Sequence, residues 1–170
     1  MTDPAPPAAP QPEITLVEET GAGRYQVRAH AGPAEFLIDE PAAFGGLGSG
    51  PNPYDLLCSA LGACTVMTVR LYADRKGWPL AHVKARVHHV RGTLQARDIF
   101  DREIELAGAL DSAQRRRLME IAMRCPVHLL LERGADVRTS EAALDMRQAV
   151  ADQHVKHMDE ACADPAPASL

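Results

Sequence analysis

The 170-residue sequence predicts an α+β fold with antiparallel sheets. Three observations carry that reading. Short runs that alternate between apolar and polar residues open the chain and recur near its middle. One uninterrupted helical periodicity lies between them. Two shorter helical stretches, divided by a proline, follow the second set.

The runs "EITLVEE" (13–19), "RYQVRAHA" (24–31) and "AEFLIDE" (34–40) are separated by Gly-Ala-Gly and Gly-Pro, so they read as a three-stranded antiparallel meander. The next stretch, "AFGGLGSGPNP", is rich in glycine but lacks the Lys-Ser/Thr ending of a phosphate-binding loop. Asn52 then suits a helix N-cap and Pro53 the first helical position. Leu57, Leu61, Cys64, Thr68 and Leu71 recur at steps of four and three, and Ala60 and Met67 widen the stripe. Arg75 and Lys76 complement the helix dipole, and Gly77 and Pro79 end the element. A helix over 53–76 is about 36 Å long, which makes it the central element of a small domain.

Alternation returns in "HVKARVHHV" (82–90) and "DREIELAG" (101–108), a predicted hairpin. Asp111 and Gln114 have the spacing of a capping box for a helix that presents Leu118, Ile121 and Ala122. Pro126 disfavours helical geometry at Cys125, so that helix breaks and a new one, "PVHLLLER", starts at the proline and ends at Gly134. "ADVRTS" (135–140) reads as a closing strand, giving the order βββ-α-ββ-α-α-β.

Composition sets the outer limits. Residues 1–12 form a Pro/Ala-rich tail, residues 13–140 one folded domain, and residues 141–170 a short helix near 141–150 followed by a frayed tail. A formal charge of −5 argues against a nucleic-acid groove or a membrane-surface module. No unbroken apolar run approaches the ~18 residues of a membrane span, and the first residues lack the charge and apolar core of a secretory signal. Four irregularly spaced cysteines do not make a disulfide framework, so the expectation is a cytoplasmic protein with reduced thiols.

Two of those cysteines occupy places where sulfur can react. Cys125 falls at the N-cap of the "PVHLLLER" helix, where backbone N–H groups and the helix dipole favour a thiolate. Cys64 lies on the inward face of the long helix, where burial alone makes a thiol inert and a nearby cation would activate it. Arg24, Arg28 and Arg70 are the candidates for that cation. Cys58, six residues before Cys64, points about 120° away and reads as packing, and Cys162 reads as tail.

The stretches "GPNPYDLLCSALGACTVMTVRLYADRKGWPL" and "IAMRCPVHLLLERG" resemble the OsmC/Ohr superfamily of osmotically induced and organic-hydroperoxide-resistance proteins, over about residues 35–140. The pairing of "LGACT" on a long helix with "RCPVH" downstream is the specific part of the likeness. The resemblance implies an OsmC-like sandwich and an intertwined homodimer with the cysteine-bearing helices at its centre. It further implies a thiol peroxidase that needs no resident cofactor. Cys64 would attack a small organic hydroperoxide, Cys125 would resolve the product as a disulfide, and an external dithiol would reduce it. Well-characterised members carry a glutamate ten residues before the first cysteine that orients an arginine over the thiolate. Here Tyr54 and Asp55 occupy that substrate-binding turn, and Arg24 in "GAGRYQV" is the loose match to the arginine.

Tyr54 in place of the acid favours a rival reading, a non-catalytic dimer binding a small apolar ligand; a third is a hydroperoxide sensor whose disulfide changes a partner contact. His128 reads as an ordinary helical histidine, His82, His88 and His89 as strand-surface residues, and Arg115–Arg117 as a solvated face. His154 and His157 in "HVKH" sit in the tail, and no metal site is expected there with Cys162.

Overall fold

The computed structural model describes residues 14–93, 95–141 and 154–163. The chain divides into two compact units, one built around residues up to Gly50 and the other around Pro51–Arg138 with the segment from His154.

In the first unit, β1 (Leu16–Glu19), β2 (Val27–Ala31) and β3 (Ala34–Ile38) form the expected antiparallel meander in the order β1-β2-β3. Gly32, at φ +55, takes the turn position a side chain would resist, and Ala31 pairs with Ala34 across it. The strands are shorter than their alternation suggests because polar side chains at their ends are drawn into loops. Gln26 hydrogen-bonds the Thr20 hydroxyl at 2.6 Å and Ser49 Oγ at 2.7 Å, so β2 starts only at Val27. Asp39 ends β3 by accepting the backbone N–H groups of Glu40, Leu47 and Ser49 and the Ser49 hydroxyl. The glycine-rich loop is thus wrapped around a buried carboxylate of its own chain.

In the second unit, α1 (Pro53–Arg75) starts as the sequence predicts. Asn52 caps Tyr54 and Asp55, and Asp55 returns the bond to the Asn52 N–H. The helix packs on the hairpin of β4 (Leu80–Val90) and β5 (Ile99–Gly108) and on α2 (Ser112–Ala122), which opens with the Asp111–Gln114 capping box. Val69, Tyr72 and Ala73 meet Leu80, Val83, Leu118 and Ile121 in the main core. By length and composition α1 is apolar enough to cross a membrane, contrary to the expectation drawn from unbroken apolar runs. In this fold it is a core helix, and a core helix meets the same criterion.

At the base of the hairpin, Gly108 adopts φ +138, and a Cβ there would lie 2.1 Å from the Pro79 carbonyl oxygen. Gly108→Ala therefore combines backbone strain with a clash and is expected to cost about 1–3 kcal/mol, read as a lower urea midpoint. An unchanged midpoint would show that the hairpin base relaxes freely.

Two expectations about the C-terminal part need correction. No strand forms at 135–140: Val137 is 88% exposed, and no sheet edge pairs with the segment among the described residues. A single branched aliphatic residue gives a strand too little to bury. The helix placed near 141–150 falls outside the described residues. A helix is instead present at α4 (His154–Ala161), where a frayed tail was expected. Met158, Ala161 and Cys162, spaced i, i+3 and i+4, form its buried stripe. The Cys162 thiol donates to the Thr68 carbonyl at 3.6 Å, so Cys162 is a core residue.

Candidate active site

Cys64 sits at mid-length on the inner face of α1. Cys125 precedes Pro126, which keeps its backbone extended (φ −61°, ψ 139°) and makes it the N-cap of α3 (Pro126–Arg133). Its sulfur accepts the His128 N–H at 3.4 Å, the position an Asn or Asp oxygen takes in an ordinary cap. The two thiols are 2% and 0% exposed. They share a small apolar cluster with Leu61, backed by Val87, Phe100, Val127 and Leu131. Both are free, and they lie within hydrogen-bonding reach of each other.

The polar surroundings of the two sulfurs differ. Arg102 Nη1 donates to Thr65 Oγ1 at 2.7 Å and approaches Cys125 Sγ at 3.8 Å, while its Nη2 reaches Met123 Sδ at 3.4 Å. Thr65 stands 3.7 Å from the same sulfur and also donates to the Leu61 carbonyl. Cys64 accepts the Val127 N–H at 3.4 Å, and the Nε2 atom of His154, on α4, stands 3.3 Å from it.

The consequence is a coupled pair in which the surroundings push Cys125 toward ionisation and Cys64 away from it. The hydrogen bond from Cys64 is the largest influence and draws the Cys125 thiol down to about 5. Burial opposes this, and the His128 N–H, Thr65 and the Arg102 charge assist it. Cys64 moves the other way, because it gives its proton to Cys125 and because it is buried. The Val127 N–H and Thr68 only partly offset those effects.

A cavity of about 290 Å³ shares Leu61, Phe100 and Leu131 with that apolar cluster, although neither cysteine lines it. Met123 adds to its apolar side, and Arg97, Asp98, Arg102, His128 and Glu132 make up its polar and charged side. Arg102 therefore touches both the cavity and the Cys125 sulfur.

Cys64 and Cys125 are brought together as the sequence suggested. The guanidinium on the thiols was not among the expected candidates. Arg24 lies in the first unit, over the Tyr25 ring at 5.8 Å, and Arg28 pairs with Glu35 in the same unit. Arg70 donates to the Leu80 carbonyl at 2.6 Å, tying α1 to the start of β4. The signal for Arg102 was present in the alternation: it shares the inward phase of β5 with Phe100, Ile104 and Leu106.

Asp55 is occupied in the helix cap. Tyr54 stacks on His89 at 4.3 Å, with the Arg91 guanidinium over its ring, and His89 in turn meets Phe100 at 4.8 Å. His89 is thus held between rings, where a surface position was expected. Asp98 binds both His89 and Arg91, and those bonds, led by Arg91's, hold its carboxyl down at about 2. Arg115 and Arg117 are also not merely solvated: Arg115 holds the Leu106 carbonyl at 2.7 Å, and Arg117 bonds the Tyr72 hydroxyl. Cys58 lines an open groove between α1 and β4, away from the pair, as its spacing predicts. Among the described residues, no three His, Cys, Asp or Glu side chains group so as to hold a metal ion.

Fold and site together define a paired-thiol protein: one cysteine inside a central helix, the other capping a short one, both against an antiparallel hairpin. Residues 46–140 match the family model "OsmC-like protein", and the chain belongs to that family. Solved structures share the fold. An OsmC-like protein from Mycoplasma pneumoniae is 18% identical with a TM-score of 0.57, covering 74% of this chain and 89% of its own. The organic hydroperoxide resistance protein OsmC of Legionella pneumophila is 20% identical with a TM-score of 0.55, over 70% and 88% of the two chains. The organic hydroperoxide resistance protein OhrB of Bacillus subtilis is 18% identical with a TM-score of 0.51, over 69% and 87%. No curated protein matches the chain.

Proposed function

We propose that this protein is a cysteine-based peroxidase that reduces small organic hydroperoxides in defence against oxidative stress. The observation that carries the proposal is the buried Cys64–Cys125 pair, with the Arg102 guanidinium reaching from a mixed apolar and charged cavity to the Cys125 sulfur. Two relatives of like fold carry organic hydroperoxide resistance in their names, which supports the same chemistry.

Atoms and electrons balance in three steps. The Cys64 sulfur attacks the terminal oxygen of the hydroperoxide, the O–O bond breaks, and an alcohol leaves while Cys64 becomes a sulfenic acid. The Cys125 thiolate then attacks the Cys64 sulfur, forming a disulfide and expelling hydroxide, which takes a proton from solvent and leaves as water. An external dithiol returns both thiols and is itself oxidised. No resident cofactor is needed for these steps. In this scheme the low-lying thiolate is the resolving one, ready before Cys64 is oxidised. The cation at the pair is Arg102 where the sequence suggested Arg24, and it stands at the resolving Cys125 sulfur. Asp55 and Tyr54 play no part at the reacting sulfurs.

Two further elements belong to the proposal. A second copy of the chain would cover the open groove between α1 and β4, where Met67 is 51% exposed beside Val83 and Val87. A reducing cytoplasmic setting suits four free cysteines.

Titration with cumene hydroperoxide tests the reading. The expected result is loss of two thiols per chain and a 64–125 disulfide on peptide mapping, with turnover restored by a dithiol. Peroxide left unconsumed would reduce the protein to a binding module.

A further inference from the structure

The C-terminal helix brings a histidine to the attacking sulfur. α4 lies outside residues 46–140, the part that matches the family model. Several contacts along its length fix it. Met158 and Ala161 are buried, Cys162 donates to the Thr68 carbonyl, and Asp159 accepts from Arg75 at 2.5 Å. Arg124 reaches the Ala163 carbonyl just beyond its end. A helix held in this way places its first turn reproducibly, and the first residue of that turn, His154, sets Nε2 3.3 Å from Cys64 Sγ.

The thiol pair gives that contact a task. Arg102 and the N-terminus of α3 stand at Cys125 and not at Cys64, so the Cys64 thiol must part with a proton before it can attack. Imidazole is the side chain best suited to receive it near neutral pH. Thr68 Oγ1, one turn beyond Cys64 on α1, is buried without a hydrogen-bond partner among the described residues. It can turn its proton toward the sulfur once that sulfur is charged.

We propose that His154 is a catalytic residue of this chain: its imidazole takes the Cys64 proton as the sulfur attacks and delivers it to the departing alkoxide. In balance, the S–H proton moves to Nε2, the S–O bond forms as the O–O bond breaks, the electron pair leaves on the alkoxide oxygen, and the imidazolium proton converts it to an alcohol. The role in turnover rests on the peroxidase reading above; the thiol–imidazole pairing does not.

The experiment therefore uses two readouts on the full chain. One is the alkylation rate of Cys64 by iodoacetamide without peroxide, and the other is cumene hydroperoxide turnover. The variants are His154→Gln, which keeps most of the packing volume, and His154→Ala with and without added imidazole. Protection of Cys162 from alkylation reports that α4 stays docked. The expected result for His154→Gln is about a tenfold fall in Cys64 alkylation and about a hundredfold fall in turnover, with Cys162 still protected. Imidazole is expected to restore much of both rates in His154→Ala, an effect a purely structural histidine would not show. His154→Gln rates within about twofold of wild type at both readouts, or no recovery with imidazole while Cys162 stays protected, would overturn the proposal. If wild type consumes no peroxide yet the alkylation pattern holds, the peroxidase reading fails and His154 stands as the base of Cys64.

Discussion

Cys64→Ser is expected to lower hydroperoxide turnover by about 10³-fold or more, because no other sulfur faces the same base and leaves a resolving partner behind. Cys125→Ser is expected to behave differently. It should consume one equivalent of peroxide and stop, leaving a sulfenic acid on Cys64 that a sulfenate-selective diketone traps and mass mapping locates. The contrast is informative because Cys125, and not Cys64, is the thiol whose surroundings lower its pKa. If the trapped sulfenic acid appeared on Cys125 in the Cys64→Ser variant, with turnover retained there, the roles of the two sulfurs would be reversed.

Thiolate absorbance is expected to titrate with a midpoint of about 5 in the wild-type protein. Cys64→Ala removes the strongest influence on Cys125, the hydrogen bond from Cys64, and should move the midpoint well up toward the ~8.5 of a free thiol. Arg102→Gln removes a nearby charge and should raise it by less. Linkage gives the sign for stability. Cys125 is depressed from 9.0 to about 5, so its contribution is complete above the unfolded value and is lost as pH falls through about 5. Cys64 is raised from 9.0, so its contribution is present below that value and declines only at more alkaline pH. The gap in thermal midpoint between wild type and Cys125→Ser should therefore widen from about pH 5 to about pH 8. A pH-independent gap, or a thiol midpoint near that of free cysteine, would show that no thiolate is held at the N-cap.

Much of this architecture can be read from residue order because local chemistry decides it. Asn52 and Pro53 start α1, Asp111 and Gln114 start α2, and Pro126 turns Cys125 into a cap. Each of these needs only its near neighbours in the chain. What escaped the reading depends on distant partners. Arg102 was visible as a cation on the apolar phase of a strand, but nothing local says which sulfur it meets. His154 sits in a polar, proline-flanked stretch whose helix gains its stability from packing Met158, Ala161 and Cys162 against the core. Propensity alone does not reveal such a helix. Asp39 looked like the end of a strand, and its burial becomes intelligible only with the loop that closes around it. The expected strand at 135–140 erred the other way, since alternation without an available edge specifies nothing.

The N-cap of α3 has one more consequence. The atom that secures the opening turn of that helix is also the one whose oxidation state would change in the proposed cycle. Once bonded to Cys64, the sulfur becomes neutral and is a far poorer acceptor for the His128 amide. In the proposed cycle oxidation would thus loosen the turn that bears His128, and His128 and Leu131 line the cavity. The redox state of two atoms would thereby reach the cavity lining as a mechanical signal.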